Sequence, residues 1–188
     1  MLIAYGLCLL YELAQAVPAG VLPYAQLDGK YVVLLGMDCH RQGYWIDFGG
    51  SRDRRETACE TAAREFSEET MFCFFPHVTD VKNRLRSIAP IVAPNGYHMY
   101  PLQVTFVQDI KARRHIKWRV ASIHWLKSHH VEKTDYAWVW ADDLRKACIC
   151  DHGKLVTLKA IDGRAIKLHN LLAQTLATVA GQQFLFGL

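Results

Sequence analysis

The chain has 188 residues, 51% of them hydrophobic and 21% charged, which suits one soluble globular domain over residues 1–188 and leaves too little for two ordinary ones. A net charge of +4 is too mild to mark a nucleic-acid binder by itself, and no internal repeat or low-complexity tract points to a solenoid or a disordered tail. The cysteines at positions 8, 39, 59, 73, 148 and 150 are even in number and permit disulfides, but a chain of this size does not need them.

Residues 1–16 open with an apolar run from Met1 to Leu13 that is too short to span a bilayer. No Lys or Arg precedes the run and Glu12 interrupts it. It therefore reads as an N-terminal helix or strand packed on the domain, rather than an export signal, and the expected location is cytoplasmic. Two strand-like runs follow, Val17–Ala25 and Lys30–Met37, joined by Gln26-Leu27-Asp28-Gly29; Asp-Gly is a strong hairpin signal. A third strand is expected over Tyr44–Phe48, leading into Gly49-Gly50, where a tight turn would bring carbonyl oxygens toward what comes next. Trp45 and Phe48 on that strand read as core.

What comes next is a helix. Thr57 followed by Glu60 is a capping-box pattern, so the helix is expected to begin near Thr57. Cys59, Ala62, Ala63 and Phe66 form an apolar stripe at helical spacing, with Cys59 a small buried hydrophobe. Glu65, Glu68 and Glu69 share a second face, roughly 120° away at about 100° per residue. Three like charges on one face repel. They read either as a solvated acidic face or as oxygen ligands for a hard divalent cation. Arg64 stands four residues from both Glu60 and Glu68, spacing for helical ion pairs.

Beyond the helix, Arg86–Ala93 and Tyr97–Val107 are expected strands flanking a Pro94-Asn95-Gly96 turn. Between Lys111 and Lys133, seven Lys/Arg face one acid, Glu132. That stretch includes Arg113, Arg114 and Lys117 beside Trp118. It reads as a solvated loop, as a phosphate contact for a small substrate, or as an RNA grip. His124, His129 and His130 read as exposed or packed. Tyr136–Trp140 is a strand leading to a short helix, and Lys154–Ile161 a strand or hairpin arm. Arg164–Ala180 reads as an amphipathic C-terminal helix, ended by Gly181. Cys148, Cys150 and His152 have metal-like spacing but no second ligand cluster, so ordinary packing is the expectation.

The stretch from Gly50 through Glu56 and Arg64-Glu65-Phe66-Ser67-Glu68-Glu69 to Phe72 resembles the Nudix box. Every charged position of that family's pattern is filled, and the one departure is Met71, where the family has the glycine that ends the helix. The resemblance implies an α+β fold, an α/β/α sandwich around a mixed sheet. It implies a pyrophosphohydrolase using magnesium or manganese, with Glu65, Glu68, Glu69 and a backbone carbonyl at Gly49 or Gly50 as ligands. Glu56 joins the site, and Arg64 fixes the loop and orients Glu65.

The general base differs among family members. It is a box glutamate or a later acid, for which Glu132 or nearby Asp135 is available here. The implied partner is a small nucleotide-type diphosphate, touched by Arg113, Arg114 and Lys117 if that stretch meets substrate. Neither a membrane nor, as first choice, RNA is expected, and a homodimer stays open. Capped RNA is an enzymatic alternative. A Nudix-fold module that binds nucleotide or protein without turnover is the other. Subfamily marks for ADP-ribose and dinucleoside polyphosphates are absent, since Arg86-Ser87 and Ile88-Ala89 hold their places.

Overall fold

The computed structural model describes residues 17–39, 43–53, 55–112, 132–150 and 156–188. Among these, nine strands join in one sheet: β1 (Ala19–Leu27), β2 (Lys30–Asp38), β3 (Tyr44–Ile46), β4 (Phe48–Gly50), β5 (Ile91–Val92), β6 (His98–Gln103), β7 (Lys133–Trp140), β8 (Thr157–Lys159) and β9 (Ala165–Leu168). Their order is β5-β6-β1-β2-β3-β9-β8, with β4 also pairing β1 and β7 also pairing β2. The β1–β6 and β3–β9 pairs are parallel and the others antiparallel, so the sheet is mixed. The β1–β2 hairpin turns on Asp28 and Gly29, both left-handed at φ 49° and 75°, the backbone that a two-residue type I′ turn requires.

Both faces of the sheet are covered, and β2 shows why. Val32 and Leu34 point into one apolar cluster, Val33 and Leu35 into the other. Successive strand side chains alternate faces, so a continuous apolar run serves a strand buried on both sides. One face carries α1 (Ala58–Glu69) and α2 (Val78–Leu85), which bury Ala62, Ala63, Phe66, Val81 and Leu85. The other carries α3 (Ala141–Cys150), α4 (Asn170–Ala177) and α5 (Val179–Gly187), through Leu144, Leu172, Leu176 and Leu185. This is the expected α/β/α sandwich. No helix among the described residues is long and apolar enough to cross a membrane.

Four expected elements need correction. Arg164–Ala180 is not one helix: Ala165–Leu168 pair with β8 and β3 as strand β9, and the helix starts at Asn170, capped by His169. Ile166 and Leu168 are both buried at period-two spacing, which a helical reading of the leucines obscures. Nor does Gly181 end the helix. Thr178 breaks it with extended backbone, and Gly181 lies in α5, packed so closely that a Cβ would stand 2.5 Å from the Thr175 carbonyl. The expected strand Arg86–Ala93 shortens to Ile91–Val92, with turn and irregular backbone over 86–90 after the C-terminus of α2. The third strand divides into β3 and β4 around buried Asp47, and Gly49-Gly50 belongs to β4 rather than to a tight turn.

Residues 1–16, the histidines at 124, 129 and 130, and His152 lie outside the described residues. Cys148 is buried, and burial pushes its thiol up to about 12.

Candidate active site

Helix α1 is fixed at both ends. The Thr57 hydroxyl accepts from the Glu60 amide, and the Glu60 carboxylate accepts from the Thr57 amide at 2.9 Å, the reciprocal cap expected. At the exit, the Phe72 amide donates to the Ser67 carbonyl at 2.8 Å and the Met71 amide to the Glu68 carbonyl at 3.0 Å, the paired bonds of a Schellman turn. Met71 itself takes the left-handed backbone, φ 52°. Holding a side chain there costs about 1–2 kcal/mol, and burying Met71 returns roughly 1.5–3 kcal/mol. The helix thus ends as a glycine would end it.

The fixed helix presents its carboxylates to a cavity of about 610 Å³, whose described lining includes Gly50, Arg64, Glu65, Glu68, Glu69 and Glu132. Of the two readings of this acidic face, the solvated one does not fit, because the face lines the cavity and is largely buried. Glu65 and Glu69 are buried, and Glu68 is half-buried. Arg64 organises the mouth. Its Nε and Nη2 donate to the two Glu56 oxygens at 2.9 and 3.1 Å, a bidentate fork. Nη1 donates to Glu65 Oε1 at 2.9 Å and to Glu68 Oε2 at 3.3 Å. Nη2 also donates to the Ser51 carbonyl at 3.0 Å, tying the loop before the helix to the helix. Arg64 does not pair with Glu60, as spacing suggested. Glu60 takes Lys82 of α2 at 2.6 Å, a partner far off in the sequence.

Gly50 lies directly against Glu65, where a Cβ would stand 2.5 Å from Oε1. Burial raises the Glu65 carboxyl while Arg64 lowers it, and burial prevails. Burial pushes Glu69 up further, opposed mainly by Lys133. Lys133 Nζ stands 3.1 Å from Glu69 Oε1, an ion pair outside hydrogen-bonding angles. Glu69 Oε2 has no hydrogen-bond partner among the described residues. The Tyr136 hydroxyl donates to the Glu69 carbonyl at 2.6 Å and holds the backbone still. Among the described residues no three His, Cys, Asp or Glu side chains form a ready-made metal cluster; Arg64 and Lys133 already stand against these carboxylates.

Glu132 lines the cavity and acts through space on both Glu65 and Glu69. Asp135 does not share it. Asp135 pairs with Lys111 at 2.9 Å and Arg164 at 2.7 Å in a second cavity of about 700 Å³. Arg113, Arg114 and Lys117 lie outside the described residues.

Sequence reading missed Lys133, Asp47 and Tyr97. The Tyr97 hydroxyl donates to Asp47 Oδ2 at 2.6 Å, in space that Gly20 and Gly49 leave open by lacking a Cβ. Burial raises Asp47 to about 6, with Tyr97 and Lys133 pulling it back. The glycines spaced along two paired strands, Gly20 opposite Gly49, were the available signal for a large group between them.

No protein-family model and no curated protein matches the chain. Its structure is similar to an Ap4A hydrolase from C. elegans in a binary complex, at 17% identity and TM-score 0.45 over 69% of this chain and 83% of that one. It is also similar to a Nudix hydrolase from M. smegmatis, at 16% identity and TM-score 0.44 over 85% of this chain and 81% of that one. A MutT/nudix family protein from Enterococcus faecalis is similar at 12% identity and TM-score 0.45, over 97% of this chain and 74% of that one.

Proposed function

We propose that the chain is a Nudix-type, metal-dependent hydrolase that cleaves the pyrophosphate linkage of a nucleoside diphosphate joined to another group. One observation carries the reading. Glu69 is 3% exposed at the wall of a cavity it shares with Glu65 and Glu68, and its Oε2 has no hydrogen-bond partner among the described residues. A buried carboxylate oxygen without a donor is costly, unless a cation meets it there. The donor set is all oxygen, which suits magnesium or manganese. Glu65, Glu68 and Glu69, with the backbone at Gly50 beside them, are the residues that would hold the ion. When bound, it neutralises phosphate charge and makes the attacking water more acidic.

The remaining work falls to the chain. A water oxygen adds to phosphorus, the bridging P–O bond breaks, and the leaving phosphate takes the electron pair. The water's proton passes to a carboxylate, and Glu132 is assigned that role because it faces the cavity while Asp135 is tied up elsewhere. Arg64 is a positioning residue. It braces the Ser51 loop and aims Glu65, and its pKa is held well above the ordinary range by Glu56, Glu65 and Glu68 despite burial, so it stays charged at any working pH.

The test is a phosphate-release screen of purified protein with magnesium or manganese, across nucleotide sugars, dinucleotides, oxidised nucleotides and capped RNA. The reading expects metal-dependent cleavage at a pyrophosphate bond in one class. Tight nucleotide binding with no turnover anywhere would replace it with a binding module.

A further inference from the structure

Lys133 is buried to the same degree as its partner, with 2% of each side chain exposed. It reaches Glu69 through a break in the sheet. In β7, Tyr136 and Trp138 face the α1 side, while Ala137 and Val139 face the other. By alternation Lys133 belongs with Ala137 and Val139. The β2–β7 register shifts between Met37 and Asp38, so that Met37 pairs Asp135 and Asp38 pairs Lys133. Thr134 is the extra residue, a β-bulge that turns Lys133 over to the α1 side. Gly36 of β2 makes the path, since a Cβ there would stand 2.8 Å from Lys133 Cδ and 2.9 Å from Cγ. Asp47 and Asp38 face the ammonium as well, and with Glu69 they raise its pKa against the effect of burial.

A bulge, an open glycine and two further acids, Asp38 and Asp47, deliver one cation to one oxygen of a carboxylate whose other oxygen has no hydrogen-bond partner among the described residues. We infer that Lys133 is a positioning residue and a built-in counter-ion: it holds Glu69 in place before a divalent cation arrives, and it competes with that cation for Glu69. The inference rests on the reading of Glu69 as a metal ligand. Its physical basis is like-charge repulsion at short range, weakly screened because both partners are buried. The pair keeps the site assembled without metal and keeps metal binding loose.

The experiment is a Mn2+ titration, followed by the electron paramagnetic resonance of free Mn2+, with melts in its presence and absence. The variants are wild type, Lys133→Met, Glu69→Gln and the double variant. Lys133→Met should bind Mn2+ at least ~10-fold more tightly than wild type, yet melt at a lower temperature when metal-free. The double variant should melt above Lys133→Met, because the stranded charge has gone with its partner. If Lys133→Met does not yield folded protein, Lys133→Gln removes the charge while leaving a polar side chain beside Glu69 and carries the same expectation. Unchanged or weaker Mn2+ binding in the folded lysine variant would overturn the inference, leaving Lys133 a structural ion pair. If Glu69→Gln binds Mn2+ as wild type does, the metal-ligand reading itself fails, a separate result from a different variant.

Discussion

Helix α1 carries two glutamates that each meet a lysine from another element, and the two pairs differ in almost every other respect. Glu60 takes Lys82 near the first turn, with side chains 33% and 30% exposed. Glu69 takes Lys133 in the last turn, with 2% of each exposed. The surface pair lowers Glu60 to about 2, chiefly through the hydrogen bond from Lys82. The buried pair leaves Glu69 well above its ordinary value, because burial outweighs Lys133. One kind of contact thus serves two purposes. At the exposed end it trims and caps a helix, for a modest gain. At the buried end desolvation consumes what the pair returns, so stability alone does not account for it; the proposed role of Glu69 as a metal ligand at the cavity beside it gives the pair a purpose.

The comparison breaks most visibly at Lys133. Without metal, Lys133→Met strands a buried charge and should cost about 3–5 kcal/mol, read from denaturant unfolding, where Lys82→Met should cost no more than about 1 kcal/mol. Next in size, Glu69→Gln should lower kcat at least ~100-fold, as losses of transition-state electrostatic stabilisation do; melts must accompany the kinetics to show the variant folded.

Asp47 sharpens the same contrast by pH. Its carboxyl titrates at about 6 in the folded chain against an ordinary 3.8, so the folded state holds the proton more tightly and stability falls as pH rises through that window. Asp47→Asn still accepts from Tyr97 and should flatten the melting profile between pH 4 and 6, a difference on the order of 2–3 kcal/mol. The smallest effect belongs to Glu60→Gln, about 0.5–1 kcal/mol from the cap and pair together, with kcat within about tenfold. A hundredfold loss there would erase the distinction between the two ends.

What was legible in the chain follows the same division. Local signals held: Thr57 with Glu60 marked the helix start, Asp28-Gly29 the hairpin, and the spacing of Ala62, Ala63 and Phe66 the buried stripe. The carboxylates at 65, 68 and 69 do gather at one cavity, with Gly50 against Glu65. Failures arose where long-range contacts override local pattern. Glu60 looked like a partner for Arg64 four residues on, but α2 supplies Lys82. Lys133 sat in plain view beside Glu132 and was missed, because the strand was expected only from Tyr136 and no one-dimensional pattern announces the bulge at Thr134 that brings Lys133 to Glu69. The leucines of 164–180 fit a helix, and pairing with β3 and β8 claimed the first of them for a strand.

The most direct test of the central claim is turnover of a cleavable nucleoside diphosphate substrate by wild-type protein stripped of metal, before and after magnesium or manganese is restored. No turnover is expected in the stripped protein, with recovery on adding either ion, because Glu65, Glu68 and Glu69 line the cavity and are proposed to hold it. Full activity in a sample verified to be free of metal would contradict it.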